Sequence, residues 1–249
     1  LPLSSQQTQD AINPATEEVC ATIALCGPDD ADRAVAAARA AFDGYSAMPL
    51  EARIALTEKL IVIFERRYDE MVRAISTEMG APYDLSFNAQ AECGPGHLKE
   101  TVKAARALDW DSPIGSTGDL AYEAVGVCVL ITPWNWPINQ LAAKIGPALV
   151  AGCTMVLKPS EVSPLSAQLF AEFIEEAGFP TGVFNMVHGT GAMIGDALTG
   201  HPDVDMVSFT GSTRAGIQIA KSAAETVKRV SQELGGKSAN IVFADSGLE

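Results

Sequence analysis

Residues 127–137 read Val-Cys-Val-Leu-Ile-Thr-Pro-Trp-Asn-Trp-Pro. Val127 to Ile131 is apolar at every position, where a half-exposed strand would alternate. That pattern fits a strand buried on both faces, as in a parallel sheet covered by helices. The rhythm then repeats. A helix near Leu141–Val150 precedes Thr154–Leu157, and a helix around Ser166–Ala177 precedes a strand at Val183–Val187. A helix near Ala192–Leu198, a strand at Val204–Phe209, a helix after Ser212 and strands at Val227–Gln232 and Ala239–Phe243 complete the expected series. Strands separated by crossover-length helices pair in parallel, and right-handed crossovers place helices on both faces. The expectation is an α/β fold with a doubly wound parallel sheet.

Towards the amino terminus the texture is helical. Asp29 or Asp30 can cap a helix bearing Ala31, Val35, Ala38 and Phe42 on one face. Pro49 suits a first helical position and Gly80 a stop, with two helices between them carrying Ile54, Leu60, Ile61, Phe64, Met71, Val72 and Ile75. A third stretch, Leu85 to Leu108, contains Gly94-Pro95-Gly96, which should break or kink it. Asp109 to Gly118 is turn-rich and reads as a loop.

Composition narrows the function. The chain has 249 residues, 47% of them hydrophobic and 19% charged, which excludes a disordered tail. Thirty-one acidic against seventeen basic side chains give a net charge of −14, so there is no basic footprint for nucleic acid. The longest apolar stretch, Leu141 to Leu157, is interrupted by Lys144, Gly146, Pro147 and Gly152, which argues against a membrane span. No secretory leader is visible at the start, and five cysteines at irregular spacing read as reduced thiols. A cytoplasmic location is the expectation. No His or Cys grouping has metal-ligand spacing, so no metal is expected and these residues read as structural.

In an open parallel sheet, ligands bind beyond the carboxyl ends of the strands. Those ends carry Thr132–Pro137, Lys158-Pro-Ser-Glu161, His188-Gly-Thr-Gly191, Thr210-Gly-Ser-Thr-Arg-Ala-Gly216 and Glu233-Leu-Gly-Gly-Lys237. Ser212 and the first amides of the next helix can meet a pyrophosphate, or simply form a capped turn. Gly189-x-Gly191 with Gly195 approaches a dinucleotide fingerprint but is one residue too long. Lys158 and Glu161 can grip a ribose diol and repel a 2′-phosphate, or form a solvated surface pair. Asn135, between Trp134 and Trp136, can hold a developing oxyanion, or satisfy loop backbone with the tryptophans as core filler. Glu233, if partly buried, can act as a general base; otherwise it is a surface carboxylate.

Taken together, Ile131–Pro137, Lys158–Glu161, Phe209–Gly216, Glu233–Lys237 and Ile12-Asn-Pro-Ala-Thr16 resemble the NAD(P)-dependent aldehyde dehydrogenase superfamily. The likeness runs from about residue 10 to the last residue. It implies a Rossmann-like core at 127–249, a helical part at 1–108, and a β-ribbon arm at 109–126 used for homo-oligomerisation into dimers or tetramers. It implies oxidation of a small aldehyde to a carboxylic acid with NAD, NADP being the alternative, through a cysteine thiohemiacetal and thioester. By the resemblance, Asn135 stabilises the oxyanion and Glu233 activates the deacylating water. Lys158, Ser160 and Glu161 hold the adenosine ribose, and Ser212 the pyrophosphate. Gly191 lines the adenine side, and Ile131, Thr132, Pro133 and Trp134 line the cofactor channel. Phe209, Thr210, Gly211, Leu234 and Gly235 complete the cofactor contacts.

Two departures accompany the likeness. The family's nucleophilic cysteine belongs to a domain downstream of Glu-Leu-Gly-Gly, and none of the five cysteines here has its context. The expectation is a cofactor-binding half without the catalytic domain, inactive alone; a truncated dinucleotide-binding or interaction protein is the alternative. Gln232 also stands where the family carries an apolar residue, which weakens the expected desolvation of Glu233.

Overall fold

A computed structural model describes residues 4–247, so the extreme ends of the spans expected at 1–108 and 127–249 fall outside the description. The chain opens with an antiparallel hairpin, β1 (Thr8–Ile12) and β2 (Val19–Ala24). Sequence periodicity does not indicate it: Thr-Gln-Asp-Ala-Ile carries no polar–apolar alternation, although its burial alternates. Helices α1 (Pro28–Ser46), α2 (Leu50–Arg66) and α3 (Tyr68–Met79) follow. Next come one turn, α4 (Tyr83–Leu85), a π-helical turn (Ser86–Gln90) and α5 (Cys93–Ala107). A ribbon of β3 (Asp111–Ile114) and β4 (Gly118–Ala121) leads into the main sheet. That sheet is built from β5 (Val127–Ile131), α6 (Pro137–Ala151), β6 (Thr154–Lys158), α7 (Leu165–Ala177) and β7 (Phe184–Met186). It continues with α8 (Gly191–Thr199), β8 (Met206–Gly211), α9 (Thr213–Ala224) and β9 (Arg229–Leu234).

The five sheet strands are all parallel in the order β7-β6-β5-β8-β9. The chain winds one way from β5 and then the other, so the winding reverses between β5 and β8, where loops diverge and open a crevice. Every residue of β5 is buried, and its side chains alternate between two cores. Val127, Val129 and Ile131 pack under α1, α8 and α9, while Cys128 and Leu130 pack beneath α2, α5, α6 and α7. The amino-terminal helices therefore form part of both layers around this sheet.

Local details differ from the sequence reading in four places. The cap of α1 is Gly27, whose N–H donates to Asp30 Oδ2 at 2.8 Å, rather than Asp29 or Asp30 itself. Pro49 is the cap before α2 rather than its first residue, because its ψ of 142° is extended. The break expected at Gly94-Pro95-Gly96 falls earlier, in the π-helical turn. Pro95 occupies the first turn of α5, where no backbone donor is needed. Gly94 is required there because a Cβ would lie 2.5 Å from the Phe64 ring. Finally, Ala239–Phe243 is not a strand. Ile241 and Phe243 are each 72% exposed, and no described strand lies beyond β9 to pair with them.

Arg53 ties the helical layer to the sheet layer. Its guanidinium is buried and donates to the carbonyls of Val150, Ser46 and Met48, closing the ends of α6 and α1. All five cysteines are free thiols, and no described residues group to hold a metal. No described helix is long and apolar enough to cross a membrane.

Candidate functional site

The strand register brings the predicted residues to one rim. Ile131, the last residue of β5, lies level with Lys158 on β6 and with Phe209 on β8. Phe209, Thr210 and Gly211 in turn pair with Gln232, Glu233 and Leu234 of β9. Adjacent parallel strands are about 4.8 Å apart, so these motifs converge although the paired positions are 23 to 78 residues apart in sequence.

On the β6 side, Lys158 is buried at 4% exposure. Its Nζ donates to the Pro159 carbonyl at 3.1 Å and to Glu161 Oε2 at 3.2 Å, while Glu161 stays partly open. This is a pre-set ammonium–carboxylate pair with a buried ammonium, rather than the solvated surface pair of the competing reading. Ser160 is buried and its Oγ accepts from Val162 N–H at 3.2 Å. His188, just beyond β7, has a buried Nδ1 with no partner among the described residues. Burial, helped by the Lys158 charge, pushes its imidazole down to about 4, so it is neutral at physiological pH.

At the crevice, Thr132 is buried, Pro133 is partly buried, and Trp134 is 52% exposed. Trp134 is therefore a wall of the crevice rather than core filler. Asn135 is exposed, and no described residue hydrogen-bonds its amide. On the opposite lip Ser212 caps α9, its Oγ accepting from Ala215 N–H at 3.3 Å. Trp136 and Thr190, the caps of α6 and α8, make no side-chain capping bond. First-turn amides at these ends thus keep donor capacity for an anion. Gly191 opens α8 with nothing within 4 Å of its missing Cβ, leaving its backbone approachable, and Gly235 is equally open.

Of the two readings of Glu233, the structure places it exposed: β9 is the edge strand, with no described neighbour outside it. Gln232 and Leu234 lie against Gly216 of α9, and Gln232 Nε2 donates to the Gly216 carbonyl at 2.7 Å. Side chains alternate along a strand, so Glu233 faces the other way and Gln232 does not shape its surroundings. Glu233 instead lines a cleft of about 470 Å³ with Gln140, Lys144, Ser208 and Thr210.

Lys144 was missed as a site residue, being noted only as an interruption of an apolar stretch. Its Nζ donates to Ser208 Oγ at 2.9 Å, and burial holds its ammonium below the ordinary range despite the opposing pull of Glu233. The available signal was a lysine one turn from Leu141 on an apolar helix. Thr210 Oγ1 is buried in the same cleft without a described partner. Cys128 and Cys153 touch the far end of the cleft, at the amino ends of β5 and β6, and both are buried. A hydrogen bond with Cys153, then burial, pushes the Cys128 thiol far up, the opposite of an activated nucleophile.

A reversal in a parallel sheet, with helix amino ends and a lysine–carboxylate turn beside it, defines a doubly wound α/β protein with a crevice at the carboxyl ends of its strands. The profile of the aldehyde dehydrogenase family matches residues 3–249, and the chain belongs to that family. It is 52% identical over 241 residues to a Pseudomonas 3-succinoylsemialdehyde-pyridine dehydrogenase, spanning 96% of this chain and 50% of that protein. A putative aldehyde dehydrogenase of Staphylococcus aureus is 43% identical over 248 residues, 99% of this chain and 52% of that one. Among solved structures, an aldehyde dehydrogenase from Bartonella henselae superposes with a TM-score of 0.93 at 49% identity, covering 98% of this chain and 52% of that one. An aldehyde dehydrogenase C mutant from Pseudomonas syringae, complexed with NAD+ and octanal, gives 0.93 at 48% identity over 98% and 50%. The chain thus spans about half the length of the relatives it matches.

Proposed function

We propose that this chain is the cofactor-binding part of an NAD-dependent aldehyde dehydrogenase whose nucleophilic cysteine lies outside these residues. The observation that carries this reading is the rim itself: Asn135, Lys158 with Glu161, Ser212 and Glu233 all project from carboxyl ends of neighbouring parallel strands. The unpartnered buried atoms His188 Nδ1 and Thr210 Oγ1, together with the open backbone at Gly191, fit a polar, extended ligand. Solved relatives carrying NAD+ support the cofactor assignment.

Bound NAD+ supplies the hydride acceptor. The protein's part is to seat it and to manage charge. Lys158 Nζ donates to, and Glu161 accepts from, the two hydroxyls of the adenosine ribose, while the Glu161 carboxylate repels a 2′-phosphate and disfavours NADP. Ser212 and the α9 amides hold the pyrophosphate, and Gly191 allows close approach on the adenine side. Ile131, Thr132, Pro133 and Trp134 form one wall of the channel, with Phe209, Thr210, Gly211, Leu234 and Gly235 opposite. When a cysteine thiolate adds to the aldehyde, the Asn135 amide donates to the oxygen that gains charge. After oxidation to the thioester, Glu233 takes a proton from water as the water oxygen attacks the carbonyl carbon. The carbon–sulfur bond then breaks and the thiolate leaves with the bonding pair.

The exposed Glu233 fits this reading if another part of the full-length protein covers the β9 side. The division into a helical part at 1–108, a ribbon arm at 109–126 and a core at 127–249 belongs to the same proposal, as does homo-oligomerisation through the ribbon. Ile114 and Leu120 on that ribbon are exposed and suit it. The test is NAD+ titration of the full-length protein by calorimetry, followed by NADH absorbance with a panel of aldehydes. Binding and turnover are expected. Binding without turnover favours a non-catalytic dinucleotide-binding protein, and absence of binding removes the reading.

A further inference from the structure

We infer that Glu78, which lies outside the proposed cofactor cradle, positions the Lys158–Glu161 turn by capping the helix that follows it. The inference rests on the proposed cofactor role of that turn. Glu78 is the penultimate residue of α3 and is 1% exposed, an unusual place for a carboxylate without a cation. Its carboxylate reaches the start of α7. Oε1 accepts from Ser166 N–H at 3.1 Å and from Ser166 Oγ, and Oε2 accepts from Leu165 N–H. The residue at the cap position of α7 is Pro164, which makes no side-chain capping bond. Glu78 therefore supplies the cap from another helix, its two oxygens accepting from the first amides of α7.

The turn between Lys158 and Leu165 is thereby clamped at both ends. One end is β6, paired on both edges; the other is the Glu78 cap. Within the turn, Ser163 N–H donates to the Ser160 carbonyl at 3.3 Å, and the buried Ser163 Oγ has no described partner. The turn is also bonded within itself, by Val162 N–H to Ser160 Oγ and Lys158 Nζ to Glu161, so it moves as a unit and its placement over the sheet end depends on where α7 starts. The end of α3 is itself held rigidly: Gly80 stops it at φ +73°, where a Cβ would lie 2.5 Å from Pro14. Ser76 Oγ donates to the Ala81 carbonyl at 2.9 Å across the same stop.

The test uses the full-length protein with Glu78→Ala, Glu78→Gln, Glu161→Gln and the double variant Glu78→Ala/Glu161→Gln. It measures kcat, KM for NAD+ and NADP+, and Tm. Loss of the cap is expected to raise KM for NAD+ about tenfold, the size of one lost capping interaction, with kcat within about twofold. The NAD+/NADP+ ratio falls towards that of Glu161→Gln, and the two effects are non-additive in the double variant, because Glu78 acts through Glu161. Glu78→Gln keeps one acceptor oxygen and lies between wild type and Glu78→Ala. A fall in Tm with an unchanged cofactor ratio, or strict additivity, overturns the inference. Should Glu78→Ala not fold, Ser166→Ala removes one bond of the same cap and should still raise KM for NAD+ about two- to threefold; no change there also overturns it. Failure of the wild type to bind NAD+ would instead remove the proposed function itself.

Discussion

Lys158 Nζ stands 3.2 Å from Glu161 Oε2 across a turn stiffened by Pro159, with the lysine buried and the carboxylate partly open to solvent. Held this way, the pair presents one donor and one acceptor to a diol and a negative charge to anything more anionic. Replacing Glu161 by Gln preserves the shape and removes the charge. The preference for NAD+ over NADP+ in the full-length protein should narrow about tenfold, a fraction of the Coulomb energy of close like charges at a protein surface. The ratio of kcat/KM values for the two cofactors checks it, and an unchanged ratio would remove this account of the carboxylate.

Glu233 and Lys144 share a cleft although they come from the edge strand and from α6. Glu233→Gln should slow thioester hydrolysis by about 10²–10⁴-fold, the usual contribution of a general base, and leave hydride transfer nearly intact. In rapid mixing, the first turnover of NADH formation should persist as a burst while the steady-state rate collapses. Unchanged steady-state turnover would rule out the assignment.

Much of this rim was legible because parallel strands announce themselves. Val127–Ile131 is apolar at every position, and each strand was followed by a helix of crossover length. The register then had little freedom, and motifs at strand ends had to meet. Edge and partner-dependent features were not legible in the same way. Ala239–Phe243 has strand composition, but pairing requires a neighbour, and none is present among the described residues. Whether Glu233 is buried could not be read from its neighbours in sequence, because its exposure depends on what covers β9. Glu78 was invisible for a different reason: its partners Leu165 and Ser166 are 87 and 88 residues away, and no local pattern encodes such a cap. The β1–β2 hairpin escaped because its alternating burial is not matched by alternating polar and apolar residues.

Gly126, immediately before β5, should tolerate no side chain. Its φ is +125°, and a Cβ would lie 1.9 Å from Asp205 Oδ2, which accepts the Val127 N–H at 2.7 Å and also pairs with Arg39. Relief would require breaking that junction, which seats the first sheet strand. Gly126→Ala should cost about 3 kcal/mol or more and lower Tm by about 6–12 °C. Thermal unfolding measures it, and a shift below about 2 °C would mean the junction rearranges freely.

The buried carboxylate of Glu78 also gives stability a pH dependence of known sign. Burial outweighs the hydrogen bonds from Ser166 and Leu165 and pushes its carboxyl from 4.5 up to about 7. The folded state thus holds this proton more tightly than the unfolded state does. The stabilisation is complete below about pH 4.5 and is lost as pH rises to about 7, by about 3 kcal/mol at most. The α7 end contributes amides and the Ser166 hydroxyl, and Cys20 of β2, whose own thiol is raised chiefly by burial and further by Glu78, faces it from the hairpin. Other carboxylates titrate in the same range, so the informative quantity is the difference between wild type and Glu78→Gln, which cannot ionise. Wild-type Tm should fall relative to the variant between pH 4.5 and 7 and run parallel to it above. Curves parallel across the whole range would show that Glu78 titrates alike in the folded and unfolded states, so that burial does not raise its carboxyl.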